Sequence, residues 1–251
     1  MANKTSTAQK GIGYKIKNMT DTNMLLTITI VIFFLMYIGA IVFQGEGFLR
    51  PQTFLSMLNA NGALIITSCG MSLVMITGGI DISVGGVVAL VSMCSAVYLD
   101  YHNGSILGAV LISLGIGLAF GIVQGYLVAY LDIQPFIVSL AGMFFARGMT
   151  TIVNTNPFNV QNEAFVALKD TRVIVPGLGS VNKLGRYVDA YVEIGVVVAL
   201  LVVILMFIML RWTKLGRSFY AVGGNQQSAL MLGINVRRTK FLSHLICSLL
   251  A

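Results

Sequence analysis

Charge is what this sequence has least of. Asp, Glu, Lys and Arg make up 10% of its 251 residues, against about 25% in soluble domains. So few ions cannot cover a water-facing surface, which excludes an ordinary soluble domain. Acidic residues are scarcest, nine against sixteen basic ones. The basic residues gather at the N-terminus and in one late segment, which argues for a topology signal and against a nucleic-acid-binding patch. Histidine is limited to His102 and His244, and cysteine to Cys69, Cys94 and Cys247, all well separated and without a CxxC. Metal and disulfide chemistry therefore have no foothold, and the cysteines read as small, soft packing residues. The chain has no G-x-x-x-x-G-K-[ST] phosphate loop, and no Ser/His/Asp, Cys/His or paired-carboxylate arrangement suggests itself. The expectation is a non-enzyme with no cofactor of its own; any ATP-Mg would sit on another subunit.

Apolar residues are abundant, at 57% of the chain, with a mean hydropathy of +0.87. A bilayer core needs about 20 of them per helix. Runs of suitable length occupy residues 24–43, 60–79, 82–99, 106–131, 135–152 and 194–210. The first is too long for a signal-peptide core of ~7–15 residues and lacks a small-x-small cleavage site, so it reads as a permanent span. A seventh apolar segment starts at Phe241 and stops at Ala251. That is too short to cross, so the chain reads as truncated or as a piece of a longer product. The expected fold is all-α: a polytopic helical membrane protein with six spans and the start of a seventh. Residues 1–23 form a tail, and residues 24–251 form one membrane domain.

Lysine and arginine set the orientation. The tail carries Lys4, Lys10, Lys15 and Lys17; the loop 211–240 carries Arg211, Lys214, Arg217, Arg237, Arg238 and Lys240 with no acid. A cytoplasmic N-terminus and six crossings place both inside, in agreement with the positive-inside rule. The segment 154–193 then lies outside; Pro157, Pro176, Gly177 and Gly179 make it turn-rich, and it shows no sign of an independent domain.

Three polar features interrupt the apolar runs. TGGIDISVGG, residues 77–86, combines Gly78, Gly79, Gly85 and Gly86 with Asp81 and Ser83. Orientation places it at the cytoplasmic turn between the second and third spans. One reading is a hairpin in which the glycines stop one helix and Asp81 or Ser83 caps the next. The other is a broken, re-entrant element that moves as a hinge, tolerated where protein or a water cavity covers it. In the fourth span, Gly117, Gly121 and Gly125 repeat at spacing four, the small-xxx-small pattern of close helix contact. Gln124 on the same helix must bond a neighbour or line a pore. Arg147 either snorkels to the outer interface or faces a cavity.

The loop 211–240 has the clearest local logic. Gly223, Gly224 and Asn225 read as a break and N-cap, and residues 226–232 make about two turns. Gly233 fits the position after the helix, followed by apolar Ile234. Gln226, Gln227, Ala229, Leu230, Met231 and Leu232 are thereby displayed on a short capped helix. It either lies on the membrane surface or docks into a partner's groove.

Three stretches together carry a resemblance: GMSLVMITGGIDISVGG (70–86), PFIVSLAGMFFARG (135–148) and LGRSFYAVGGNQQSALMLGIN (215–235). The chain resembles, from about Phe54 onward, the permease subunits of bacterial ABC importers for monosaccharides such as ribose, galactose, xylose and arabinose. The second stretch is nearest to the furanose-sugar type. The resemblance implies a multi-pass protein of the bacterial cytoplasmic (inner) membrane. It implies a second permease subunit, identical or paralogous, a separate ATP-binding subunit and an extracytoplasmic sugar-binding protein. Lipid would surround the chain, and nucleic acid is not an expected partner. The helix around Asn225–Gly233 would be the coupling helix, and Gln124, Tyr126 and Arg147 candidates for the substrate path. Family members continue through further spans. An ABC permease for nucleosides or amino acids is the alternative, with a secondary transporter behind it.

Overall fold

A computed structural model of the chain describes residues 21–45, 50–156, 158–181 and 187–251. The tail lysines Lys4, Lys10, Lys15 and Lys17, and Pro157, lie outside the described residues. The chain divides into two compact units, Met1–Phe54 and Leu55–Ala251. The first holds α1, Asp21–Gln44. From Met24 to Phe43 this helix has no charged residue, and its Thr29 hydroxyl donates to the Leu25 carbonyl at 3.0 Å. A hydroxyl satisfied within its own helix needs no water.

The second unit is built from α2 (Pro51–Ile76, entering it at Leu55), α3 (Val84–Tyr101), α4 (Ile106–Ala129) and α5 (Pro135–Val153). A connecting segment follows, with α6 (Glu163–Lys169), β1 (Arg172–Val181) and β2 (Tyr187–Glu193). The chain then returns through α7 (Ile194–Trp212), α8 (Lys214–Gly224), α9 (Gln226–Met231) and α10 (Val236–Leu250). Among the described helices six, α1 to α5 and α7, are long and apolar enough to cross a membrane. Their polar side chains close on the helix backbone: Thr67, Ser68 and Ser72 each donate to the carbonyl four residues back.

Close helix contact is made at glycines. A Cβ on Gly117 would lie 2.6 Å from the Ser248 carbonyl, one on Gly121 2.9 Å from Leu245 Cα, and one on Gly125 3.0 Å from the Phe241 carbonyl. Residue numbers rise along α4 as they fall along α10, so the two helices run antiparallel with touching backbones. Gly70 of α2 meets α10 on another side, at Cys247 Cα, and Gly86 of α3 meets Met143 of α5. Ser95 and Ser113 share a 3.0 Å hydrogen bond between α3 and α4.

Two regions differ from the sequence reading. Residues 211–240, read as a loop around one short helix, are almost wholly helical, and the last helix starts at Val236, not Phe241. Asn235 caps it by accepting from the Arg238 N–H at 2.9 Å. Hydropathy missed this first turn because it contains Arg237, Arg238 and Lys240. The helix also buries its polar face, with Thr239, Ser243, His244 and Ser248 all at 4% exposure or less.

The segment between α6 and α7 holds an antiparallel hairpin, registered Arg172↔Glu193 and Val175↔Ala190. Between Val175 and Ser180 the register slips, where Pro176 lacks a donor and Gly177 takes φ +87°. The sequence reading took these residues for simple turns. Asp100, near the end of α3, anchors the segment by accepting from the N–H groups of Gln161 (2.8 Å) and Asn162 (3.0 Å).

Candidate functional site

The stretch TGGIDISVGG joins α2 to α3. Helix α2 ends in a glycine cap: Gly78, at φ +82°, donates to Met75 O at 3.0 Å, and Gly79 donates to Val74 O at 2.9 Å. That pair of bonds satisfies carbonyls that a helix end otherwise leaves open. Asp81 follows, 0% exposed. Its Oδ1 accepts from the Ser83 N–H at 2.9 Å and from the Ser83 hydroxyl at 2.6 Å. Of the two candidate caps for α3, Asp81 is the acceptor, while Ser83 has helical dihedrals and makes no capping bond. Ser83 Oγ also lies 3.1 Å from Gln124 Oε1, but its single proton goes to the carboxyl oxygen. The Gln124 amide is best satisfied with its NH2 turned to Ser83, which gives a chain of donors Gln124→Ser83→Asp81.

The polar side chains of this turn are walled in by protein, although Gly78 and Ile80 are exposed. Thr77, Asp81 and Ser83 are all at 3% exposure or less. The Thr77 hydroxyl reaches Ser243 of α10 at 3.2 Å, and Ser139 of α5 reaches the Ile80 carbonyl at 3.4 Å. Elements α2, α4, α5 and α10 thus meet on one buried polar knot, with His244 beside Gly79. The glycines do different jobs. Gly78 turns the chain, Gly86 packs on α5, and Gly85 faces open space.

The three candidate path residues do not converge. Gln124, 3% exposed, is held by the knot and lines a cavity of about 400 Å³ between α4 and α5, with Phe120, Val123, Leu127, Gly142 and Phe145 around it. Tyr126 and Arg147 do not line that cavity. Tyr126 is 51% exposed and stacks on Tyr130 at 5.4 Å, and Arg147 is exposed on α5.

The short helix α9 is defined at both ends. Asn225 is extended (φ −160°, ψ 115°), and its Oδ1 accepts from the Ser228 N–H at 2.8 Å. At the other end Gly233 takes φ +77° and donates to Leu230 O at 2.9 Å, while Ile234 donates to Ala229 O at 3.0 Å. The helix closes at Met231, and Leu232, read from sequence as helical, is its C-cap. Ala229 faces inward, 1% exposed, against Val222 and Val236, with Ile234 beside them. Outward face Leu230, Met231 and Leu232, at 59%, 89% and 76% exposure, beside exposed Gln226 and Gln227. So much apolar surface on a capped, polar-rimmed helix marks a contact site.

Two features of this region were not legible beforehand. Gly223 and Gly224 do not break the helix; α8 runs through both to Asn225. A Cβ on Gly223 would collide with the Ile76 carbonyl, so the glycine lets α8 press on the end of α2, one residue before the buried knot begins. In addition, a cavity of about 600 Å³ lies beside α9, lined by Asp132, Gln226, Leu230, Arg237 and Lys240 among others. Asp132, at φ +55°, comes from the α4–α5 turn, a distant part of the sequence.

Residues 53–251 match the family model described as "Branched-chain amino acid transport system / permease component". Among curated proteins, the chain is 33% identical to the fructose import permease protein FruG of Bifidobacterium longum, over 100% of this chain and 70% of that protein. It is also 33% identical to the inner membrane ABC transporter permease protein YjfF of Escherichia coli, over 93% of this chain and 67% of the relative. With the ribose import permease protein RbsC of Escherichia coli it shares 30% identity, over 86% of this chain and 64% of the relative. No solved structure matches it significantly. With six membrane-length helices among its described residues, the chain belongs to this permease-component family and is a multi-pass protein of the cytoplasmic membrane.

Proposed function

We propose that the chain is the membrane-spanning permease subunit of an ATP-driven monosaccharide importer. Relatives named for fructose and ribose import support the substrate class. Hydrolysis of ATP, with its magnesium, belongs to a separate ATP-binding subunit. A second permease subunit completes the path, and an extracytoplasmic binding protein delivers the sugar to the side that carries α6 and the β1–β2 hairpin. The N-terminus and α9 are cytoplasmic in this reading.

The observation that carries the proposal is α9. Its two caps hold Leu230, Met231 and Leu232 outward, while Ala229 is locked inward. A partner groove that grips such a rigid knob moves the element beneath it. Displacement passes from α9 into α8 and, at the Gly223–Ile76 contact, to the end of α2 and the Asp81 knot. The knot joins four helices, so it is the place where a push on α9 changes their mutual packing. The glycine turn serves this transmission as a hinge and takes no part in chemistry.

Crosslinking from Gln227→Cys in native membranes tests the reading. Capture of an ATP-binding subunit, with sugar-stimulated ATP turnover in the captured complex, is the expected outcome. A crosslinked ATP-binding subunit whose turnover responds to an amino acid and to no sugar would keep the machine and replace the cargo. Absence of any ATP-binding subunit among the products would sink both.

A further inference from the structure

The end of α7 carries a second built feature, independent of α9. From Ile194 to Leu210 the helix has no charged residue; then come Arg211 and Trp212. Thr213 turns the chain, donating to Met209 O at 2.6 Å and accepting from the Gly216 N–H at 3.1 Å. Gly216 is needed for the fold-back, because a Cβ there would run into the Leu210 and Met209 backbone. Helix α8 therefore starts pressed against the last turn of α7, and Arg217 comes to stand beside Arg211. The two arginines, with Phe207, Leu210 and Tyr220, line a cavity of about 390 Å³.

No acidic residue follows Glu193 in the sequence, so this part of the chain supplies neither guanidinium with a counter-ion. A guanidinium offers five donors in a planar fork that fits phosphate oxygens. Phe207 and Leu210 in the cavity wall belong to a membrane-length helix, Tyr220 lines it as well, and Trp212, outside the cavity, packs on Phe207 at 5.9 Å. Aromatic residues of this kind sit at headgroup level. A soluble anion would use the arginines and leave Phe207 and Leu210 in water; a lipid uses both. We propose that Arg211 and Arg217 bind the phosphate headgroup of an anionic phospholipid, whose glycerol end rests on Phe207 and Leu210.

Trp212 is the sole tryptophan of the chain, which makes the site its own reporter. The full chain is reconstituted in phosphatidylcholine vesicles holding a minor fraction of either phosphatidylglycerol or phosphatidylcholine brominated near the headgroup, and Trp212 quenching is compared. Phosphatidylglycerol is expected to quench more strongly. Arg211→Gln should weaken its apparent affinity about fivefold and the Arg211→Gln/Arg217→Gln pair about twenty-five-fold, the effect expected of one and two basic residues at an anionic surface. Arg211→Lys/Arg217→Lys should keep part of the preference. Arg237→Gln/Arg238→Gln, which removes as much charge elsewhere, should leave it intact. Equal quenching by the two lipids in the unmodified chain would overturn the proposal. So would an equal loss in the Arg237/Arg238 control, which would mean diffuse attraction. Abolition of the preference by inorganic phosphate at matched ionic strength would overturn it in favour of a free-anion site.

Discussion

Asp81 is the residue whose environment most constrains its replacement. Its carboxyl group satisfies both polar hydrogens of Ser83 inside a knot closed to solvent. Asp81→Ala would strand them, at about 1–3 kcal/mol, whereas Asp81→Asn keeps an acceptor oxygen. We expect a clear drop in the thermal unfolding midpoint for the alanine variant and a smaller one for asparagine; equal midpoints for all three proteins would contradict the role given to Oδ1. Glycine offers a second test on one helix. Gly121→Val forces a side chain onto the α10 backbone, whereas Gly115→Val points into open space. Overpacking costs about 1–3 kcal/mol, so the Gly121 variant should unfold at a lower temperature than the Gly115 variant, and matched values would refute the α4–α10 contact. The glycine spacing was visible in the sequence, but its partner was not. That partner is α10, and only tertiary packing brings its Phe241, Leu245 and Ser248 onto those glycines.

At the scale of elements, α9 separates stability from docking. Leu230 is 59% exposed, so Leu230→Asp should leave the unfolding midpoint of the isolated chain within about 0.5 kcal/mol of the original, as surface changes usually do. Capture of the ATP-binding subunit should nonetheless be lost; retained co-purification would count against the docking face. Gly233→Val acts differently, because φ +77° strains a branched side chain by about 1–2 kcal/mol. Its effect should appear first as fraying of α9, read as faster amide exchange at Ala229 and Leu230. Helix α9 was legible because caps are local: Asn225, Gly233 and Ile234 lie within ten residues and name their bonding pattern by type. The β1–β2 hairpin was not legible, because Pro176 and the glycines looked like turns, and a two-stranded ribbon is fixed by its cross-strand pairing.

The whole molecule makes a prediction about sides. With its own cysteines in helices, two of them half-buried and Cys247 buried, single exposed cysteines can be added as markers. A membrane-impermeant maleimide should label Glu163→Cys in intact cells and Gln227→Cys only after the membrane is opened. Labelling of both from outside would invert or break the six-crossing topology.

The sequence alone determined the solvent of this chain and the number of its long helices. Apolar length and the scarcity of charge are summed quantities that need no partner to be counted. It determined the caps of α9, Asn225 and Gly233, though not its last residue, for the related reason that capping is settled within one turn. Tertiary structure alone decided that Asp81 is buried among four helices, that Gln124 is occupied there while Tyr126 and Arg147 face elsewhere, and that Gly223 touches Ile76. Each of these joins residues far apart in the chain across a distance of a few ångströms, and a local pattern of polarity carries no record of which helix comes to stand beside which.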